Sequence, residues 1–341
     1  MEEEKKEAPL VIARKLASVQ LISVVSSIND DLDLVKVLGW QVVVLKNQFK
    51  QGDKIVYFEI DAKLPDWFTE LEMDDYRSRT SVIAGVLSQG IIKPVTCIKD
   101  HEKYQIGDDV SEILDVGKYD DEGKIISSRE NKEFPISIVP KTDEPRIQSE
   151  PRYLEVFKGK AFVATLKYDG TSGTFLLDPK NNKELWVASR NKIVGKGKEG
   201  GQYLAIAEKY KLAEKLMKFP DYAIQGEVYG AGIQKNPFNI KEKRLAVFNI
   251  KSLSQNRCLD YDELVEACKI LELPYAEAVL RGDSFNFTVD ELLEIAKGKY
   301  KDTENNREGI VFRLAKYWDT PGIRASFKVI NNEYLIQHAK K

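Results

Sequence analysis

The sequence has 341 residues, of which 43% are hydrophobic and 31% charged, so it is long enough for two domains and able to bury a core. The 52 Lys and Arg residues nearly balance the 54 Asp and Glu residues, which excludes a polycation that coats nucleic acid indiscriminately and confines any nucleic-acid contact to a local patch. The three cysteines and two histidines lack metal-ligand spacing, which excludes a zinc cluster and indicates a reduced, cytoplasmic or nuclear compartment. The sequence has neither an apolar run of membrane-spanning length nor a secretory leader, so we expect no membrane span and no export.

The N-terminal third of the sequence predicts short strands. Residues 40–46 and 54–60 are rich in β-branched and aromatic side chains, and the Gln-Gly-Asp sequence between them is typical of a turn, so these two strands are predicted to form a hairpin. Further strand-like runs at 13–19, 90–95 and 110–114 favour a small antiparallel barrel. The polar, glycine-containing residues 115–133 predict a loop or an inter-domain connection.

After residue 150 the pattern mixes helices with strands. Two apolar sets at helical spacing predict core helices, and Thr288 with Glu291 forms a capping box that predicts a third helix ending near Gly298. The apolar sets are Tyr203, Ile206, Ala207, Tyr210, Ala213 and Met217, and then Leu264, Ala267, Cys268 and Leu271. Strand-like segments lie at 161–166, 174–177, 184–188, 246–251, 309–314 and 325–330. The fold class is therefore predicted to be α+β.

Lys167 follows an apolar strand and opens the sequence Lys-Tyr-Asp-Gly (KYDG). A lysine at a strand end beside a tight turn presents its amine at a cleft. There it becomes a useful nucleophile when its pKa of about 10.4 is lowered, as a nearby divalent metal can do. Without further context, an ordinary exposed turn explains these four residues better.

Five more segments follow KYDG along the chain: SRN at 189–191, EVYG at 227–230, Phe248 within AVFNIK, EGIVFR at 308–313 and SFKV at 326–329. The segments extend over 162 residues from Lys167 to Lys328. They resemble, in order, motifs I, Ia, III, IIIa, IV and V of the covalent nucleotidyltransferases, the superfamily of RNA ligases, DNA ligases and mRNA capping enzymes. Ser326 stands where motif V usually has a lysine, and Arg324 is a candidate to supply the missing charge.

The resemblance implies a role for each motif residue. Lys167 would attack the α-phosphorus of ATP and carry AMP as a phosphoramide. Asp169, Glu227 and Glu308 would gather around a hydrated Mg²⁺ or Mn²⁺, with direct and water-mediated contacts both left open. The implied nucleotide contacts are Leu166, Glu227 and Glu308, together with Phe248 and Val311 on the faces of adenine, Arg190 on the ribose or a phosphate, and Lys328 on the α-phosphate. Taken alone, Phe248 is equally well explained as a core residue and Arg190 as a solvated surface charge.

A second cluster, KTDEPRIQ at 141–148, precedes motif I. It resembles a segment that approaches the nucleotide in one RNA ligase clade. The resemblance implies that Lys141, Thr142 and Arg146 contact the nucleotide or its phosphates. The alternative is a solvated linker of mixed charge.

The order of the segments favours one group within the superfamily. DNA ligases and capping enzymes carry an OB-fold after motif V, whereas only 13 residues follow Lys328 in this sequence. The strand-rich region lies before motif I instead, as in RNA ligases with an N-terminal OB domain. We therefore expect an OB-fold domain over residues 1–135 and a nucleotidyltransferase domain over 136–341. Aromatic and basic residues of this OB domain are candidates for nucleic-acid contacts, and the alternative is that they occupy core or solvated positions. These residues are Trp40, Lys46, Lys50, Lys54, Tyr57 and Phe58.

The resemblance implies an ATP-dependent RNA ligase that acts as a monomer, without a membrane, in RNA repair. It would join a 5′-phosphate to a 3′-hydroxyl, in RNA or at a nicked duplex with a 3′-ribonucleotide end, through lysyl-AMP and an adenylylated 5′ end. The alternatives are a guanylyltransferase or DNA ligase of the same superfamily, and a non-catalytic OB-type nucleic-acid-binding protein.

Overall fold

The computed structural model describes residues 14–65, 67–68, 76–118, 132–178, 181–194, 200–316 and 325–339. Arg324, residue 13 of the first predicted strand and residues 119–131 of the predicted connection lie outside this range. Within it, no helix is long and apolar enough to cross a membrane.

The N-terminal region consists of short strands. They are β1 (Ala17–Leu21), β2 (Val24–Ser27), β3 (Leu32–Val37), β4 (Trp40–Leu45), β5 (Lys54–Phe58), β6 (Ala62–Lys63), β7 (Thr80–Ile83), β8 (Val86–Gln89), β9 (Ile91–Pro94) and β10 (Gly117–Lys118), with 3-10 helices at Val95–Cys97 and His101–Lys103. Antiparallel pairing gives the strand orders β1-β5-β9, β2-β3-β4, β7-β8 and β10-β6.

The predicted hairpin between residues 40–46 and 54–60 is wrong. Strand β4 pairs with β3, whereas β5 pairs with β1 and β9. Leu38 and Gly39 separate β3 from β4 and both have positive φ, +52° and +80°, as a two-residue type I′ turn requires. The right-handed twist of such a turn favours immediate pairing, so the longer segment 46–53 crosses over instead of closing a hairpin.

The predicted strand at 110–114 is also wrong, because these residues form a turn. The Leu114 amide donates to the carbonyl of Val110 at 3.1 Å, and both side chains are buried in the N-terminal core. Short apolar runs bury equally well in a turn as in a strand, which is why the spacing did not separate the two.

The C-terminal region is built on two antiparallel sheets. Its strands are β11 (Lys132–Glu133), β12 (Phe162–Lys167), β13 (Thr171–Asp178), β14 (Asn181–Ala188), β15 (Lys192–Ile193), β16 (Tyr222–Gly230), β17 (Lys243–Ser252), β18 (Arg257–Cys258), β19 (Ala278–Gly282), β20 (Gly309–Leu314) and β21 (Ser326–Ile330). The larger sheet has the order β11-β15-β14-β13-β16-β17-β18, and the smaller has β19-β12-β20-β21. The six strands predicted after residue 150 and the α+β class are confirmed.

The described part of the chain contains six helices: α1 (Tyr153–Phe157), α2 (Gly201–Lys209), α3 (Leu212–Lys218), α4 (Tyr261–Ile270), α5 (Val289–Ala296) and α6 (Asn332–Ala339). The capping box of Thr288 and Glu291 opens α5 as predicted. The apolar face predicted over 203–217 is split, because Lys211 has a left-handed conformation between α2 and α3. As a result Leu216 is buried and Met217 is half-exposed.

Strand alternation separates a core face from an open face on the smaller sheet. Ala164, Ile310 and Phe312 pack into an aromatic-rich core, while Thr165 and Val311, paired across β12 and β20, face a cavity between the two sheets. Lys328 on β21 pairs with Val311 and lines the same cavity. The two sheets therefore present polar and charged side chains to each other at this point.

Candidate active site

A cavity of about 260 Å³ lies between the two sheets of the C-terminal region. The predicted site residues that line it are Thr142, Leu166, Lys167, Arg190, Glu227, Phe248, Val311 and Lys328. Asp169 and Glu308 adjoin Lys167, whereas Lys141 lines a neighbouring cavity and Arg146 is directed elsewhere. Most of the residues selected from the sequence therefore converge on one place.

Lys167 is the last residue of β12, and its amine enters the cavity. Its Nζ lies 2.8 Å from Oε2 of Glu308, which immediately precedes β20. Burial disfavours the charged ammonium, but the carboxylates of Glu308, Glu227 and Glu144 outweigh burial and raise the pKa of Lys167. These carboxylates therefore favour the protonated form of the amine, which pairs with Glu308.

Several acidic side chains lie near the Lys167 amine. Burial raises the pKa of Glu227 to about 8 against the opposing effect of Lys167, and nearby Glu308, Glu144 and Asp169 raise it further. Burial and Glu308 also raise the pKa of Asp169, whose Oδ2 is buried without a hydrogen-bond partner in the described structure. Such a site favours a cation.

Within the described residues, no three His, Cys, Asp or Glu side chains form a group able to hold a metal ion. The three predicted carboxylates thus surround the amine without forming a closed ligand set of their own.

Two glycines allow the strands to approach at this point. A Cβ on Gly170 would lie 2.4 Å from the carbonyl oxygen of Val228 and 2.9 Å from Cγ of Glu227. A Cβ on Gly309 would lie 2.1 Å from the carbonyl oxygen of Val329, and its φ of +151° also favours glycine. The glycines of KYDG and EGIVFR are thus explained by backbone contact beside the carboxylates.

Phe248 forms one wall of the cavity because β17 is irregular there. The register shifts between Gln225, opposite Asn249, and Gly226, opposite Val247, so Phe248 has no partner in β16. A bulge of this kind redirects a side chain. Phe248 is half-buried, and the sequence alternative of a fully buried core residue does not hold.

Lys328 supplies a second amine to the cavity. Burial lowers its pKa to about 8, and the positive charges of Lys167 and Arg146 act in the same direction. Ser326, two residues earlier on β21, is buried, pairs with Arg313 and lines the neighbouring cavity of about 380 Å³. A serine at this position therefore adds no charge beside Lys328.

Glu144 and Arg313 also line the cavity, and although both lie in segments selected from the sequence, neither was predicted to be a site residue. Arg313 Nη2 lies 2.9 Å from Oε1 of Glu144, and its Nη1 donates to Oγ1 of Thr165 at 2.8 Å. The guanidinium carbon is 5.9 Å from the ring centroid of Phe248. Strand alternation could have identified Arg313, because Val311 and Arg313 share the face opposite the buried Phe312.

The segment at 141–148 contacts both sides of the cavity mouth. Thr142 Oγ1 is 2.7 Å from Ser172 Oγ, Asp143 forms an ion pair of 2.5 Å with Arg190, and Lys141 donates to Asn191 at 3.3 Å. Arg190 is therefore paired with a carboxylate of this segment in the described structure. Lys141 and Asp143 are exposed, as in the alternative of a solvated linker, but these contacts attach the segment to the C-terminal region.

Arg146 points towards the N-terminal region. Its guanidinium carbon lies 5.6 Å from the Trp40 ring centroid, and its burial lowers its pKa. Its backbone bridges to Lys328, with the Ile147 amide donating to the Lys328 carbonyl at 3.1 Å. Arg146 thus connects the N-terminal region to β21.

The aromatic candidates of the N-terminal region belong to its core. Trp40, Tyr57 and Phe58 are 0%, 2% and 0% exposed, so their rings are not available for stacking on bases. Lys46 is paired with Asp33 at 3.0 Å, and Lys54 donates to the Tyr104 carbonyl. Lys50 is exposed.

Comparison with known protein families identifies the family to which the chain belongs. Residues 160–330 match the profile described as RNA ligase, and residues 14–95 match an OB-fold domain. The chain belongs to the RNA ligase family. This confirms the enzyme class and the order of an N-terminal OB-fold and a C-terminal ligase domain. A search of curated proteins gave no match.

Solved structures of an RNA ligase from Naegleria gruberi resemble the chain over nearly its whole length. One with PPi is 29% identical with a TM-score of 0.78, and the match covers 96% of this chain and 100% of that one. Two variants of the same enzyme, one with AMP and Mn and the other with ATP and Mn, are each 28% identical with TM-scores of 0.79 and the same coverage.

Proposed function

We propose that this RNA ligase uses ATP and joins a 5′-phosphate to a 3′-hydroxyl through a covalent lysyl-AMP. The observation that carries the proposal is the Lys167 amine, which ends β12 in a cavity between two sheets and pairs with Glu308 at 2.8 Å. The ATP, AMP and Mn bound to the Naegleria enzyme support the choice of nucleotide and cation.

In the first step, Lys167 Nζ attacks the α-phosphorus of ATP. An N–P bond forms, the bond to the β-phosphate oxygen breaks, and pyrophosphate leaves. In the second step, the 5′-phosphate of the RNA takes AMP from Lys167. In the third, the 3′-hydroxyl oxygen attacks that phosphate and AMP leaves. We propose RNA or a nicked duplex with a 3′-ribonucleotide end as the substrate.

Lys167 must lose its proton before it can attack. Glu308, at 2.8 Å, is the group placed to accept that proton. A divalent cation, Mg²⁺ or Mn²⁺, would neutralise charge on the phosphates. Asp169, Glu227 and Glu308 would hold it through direct or water-mediated contacts, and a cation would favour the ionised forms of Asp169 and Glu227, whose pKa values are raised by burial.

The remaining cavity residues are proposed to bind the nucleotide. Phe248 and Val311 provide apolar surface for adenine, and Lys328 provides an amine for the α-phosphate. Leu166, Thr142 and Arg190 line the same space, and Lys141 lies beside it. For Arg190, binding a ribose or phosphate requires exchange of its contact with Asp143.

We also propose a domain division near residue 135, giving an OB domain over 1–135 and a nucleotidyltransferase domain over 136–341. Strand pairing supports a change of partners in this part of the chain. Strand β10 pairs with β6 of the N-terminal region, whereas β11 pairs with β15 of the larger C-terminal sheet.

Labelled ATP tests the nucleophile. The wild-type protein should acquire label in Mn²⁺ or Mg²⁺, and Lys167→Ala should acquire none, since the amine proposed to carry AMP is removed. Lys50→Ala, at an exposed position, is the control and should label normally. Label in the Lys167→Ala protein would overturn the assignment.

Two comparisons of substrates test the choice of nucleotide and the preference for a 3′-ribose end. Offering ATP and GTP separately should label the protein with ATP only, and labelling by GTP would indicate a guanylyltransferase. Nicked duplexes with 3′-ribose and 3′-deoxyribose ends should differ, with the ribose end sealed faster. Equal sealing would remove RNA specificity from the proposal, and nucleic-acid binding without any adduct would favour a non-catalytic protein.

A further inference from the structure

Tyr300 lies beneath Lys167 in the loop between α5 and β20, outside every motif selected from the sequence. Its side chain is 2% exposed. The hydroxyl donates to the backbone carbonyl of Lys167 at 3.1 Å and accepts from the backbone amide of Glu308, also at 3.1 Å. One buried phenol therefore bonds both to the residue that carries the nucleophile and to the residue that pairs with it.

These two hydrogen bonds and the Lys167–Glu308 ion pair form a ring of contacts among three residues. The Lys167 amine reaches the Glu308 carboxylate at 2.8 Å, and the Tyr300 hydroxyl joins the backbones of the same two residues. Lys167 is opposite Gly309 at the end of the β12–β20 ladder, so the phenol extends the pairing by one step beyond the last strand pair.

The surroundings hold Tyr300 and Glu308 in place. The Tyr300 ring packs on Phe238 with centroids 4.0 Å apart, and Phe238 stacks on Tyr168 at 5.4 Å. On the other side, the Asn331 amide donates to the Glu308 carbonyl at 2.9 Å. Both backbone polar groups of Glu308 are thereby bonded, which restricts the direction of its carboxylate.

We propose that Tyr300 is a positioning residue that holds Glu308 against Lys167 for the adenylylation step. The inference rests on the proposed lysyl-AMP chemistry. A nucleophile and its proton acceptor must be aligned closely for reaction, and small displacements cost large factors in rate. Lys167 and Glu308 lie 141 positions apart in sequence, and Tyr300 supplies a bond to each.

The test compares Tyr300→Phe with the wild-type protein. The variant keeps the ring on Phe238 and removes both hydrogen bonds. Its adenylylation rate at saturating ATP should fall by about tenfold or more, as the loss of two such bonds implies, with the KM for ATP changed by less than about twofold. Sealing of RNA already carrying a 5′-adenylate does not use Lys167 as the nucleophile, so it should fall much less.

Tyr57→Phe is the matched control. Tyr57 is also 2% exposed, and its hydroxyl donates to the Gln89 carbonyl at 3.1 Å, but it lies in the N-terminal core. It should leave the ratio of adenylylation to sealing unchanged. Equal loss of both reactions in Tyr300→Phe, or no loss of either, would overturn the positioning role. Absence of label on the wild-type protein would instead overturn the proposed function.

Hydrogen exchange of the wild-type protein tests the bond between the Glu308 amide and the Tyr300 hydroxyl without a substitution. The Glu308 amide should exchange slowly, since it donates to a buried hydroxyl. Exchange as rapid as that of an exposed loop amide would contradict the proposal even if Tyr300→Phe did not fold.

Discussion

At the residue scale, the cavity brings buried acidic and basic side chains close together. The Lys167 amine faces the carboxylates of Glu308, Glu227 and Glu144, and the pKa of Glu227 rises to about 8. Lys328, whose pKa falls to about 8, lines the same cavity. The carboxylates suit a metal ion, and the Lys328 amine suits a phosphate.

The substitution Glu227→Gln tests the raised pKa of this carboxyl through the stability of the protein. The folded protein holds a proton on Glu227 up to about pH 8, whereas the unfolded chain releases it near 4.5. The stability from this carboxyl is therefore fully present below the unfolded pKa and is lost as the pH rises through the folded pKa. Glutamine cannot ionise, so the melting temperature of the variant should rise relative to that of the wild type as the pH increases from about 4.5 to about 8.

Thermal unfolding at several pH values in metal-free buffer provides the measurement. Glu112→Gln, at an exposed position in the N-terminal region, should show no such trend. A constant difference between Glu227→Gln and wild type across the window would contradict the raised pKa.

Metal binding should release protons for the same reason. A cation favours the ionised forms of Asp169 and Glu227, whose pKa values burial raises. Mn²⁺ affinity should therefore increase as the pH rises towards about 8. Calorimetry in two buffers of different ionisation enthalpy measures the released protons, and an affinity independent of pH would argue against these ligands.

At the element scale, β20 positions Glu308 through the close approach of β21. Gly309→Ala would place a Cβ 2.1 Å from the Val329 carbonyl oxygen. Overpacking of this kind costs about 1–3 kcal/mol, and separating the strands would also displace Glu308 and slow adenylylation. Denaturant unfolding and the labelling rate are the two measurements.

Gly201→Ala is the matched control for this change. A Cβ there has no neighbour within 4 Å, and Gly201 begins α2. Alanine at a helical position should leave stability equal or slightly higher. If Gly309→Ala were as stable and as active as Gly201→Ala, the contact between β20 and β21 would not constrain the site.

At the scale of the whole molecule, the two regions are connected by buried polar contacts. Glu59, which is 3% exposed, accepts from Arg14 Nε and from Ser149 Oγ, each at 2.6 Å. Arg146 packs near Trp40 while its backbone bridges to Lys328. The N-terminal region is therefore joined to the same strand that brings Lys328 into the cavity.

Ser149→Ala tests this junction. Removing a hydrogen bond to a carboxylate costs about 1.5–3 kcal/mol when the group is buried, so the variant should unfold at a lower denaturant concentration. Ser284→Ala, at an exposed position, should cost less than about 0.5 kcal/mol. Equal midpoints for the two variants would show that Glu59 does not stabilise the junction.

The sequence by itself was sufficient for the order of the regions, the α+β class and most residues of the cavity, because motif residues and strand alternation are local properties. Glu308 and Lys328 were found without knowledge of their neighbours. The tertiary structure alone decided the pairing of β4 with β3, the burial of Trp40 and Tyr57, and the direction of Arg146. It also brought Glu144 and Tyr300 to Lys167 from opposite sides in sequence. Pairing and burial depend on contacts between distant segments, and no spacing within a segment specifies them.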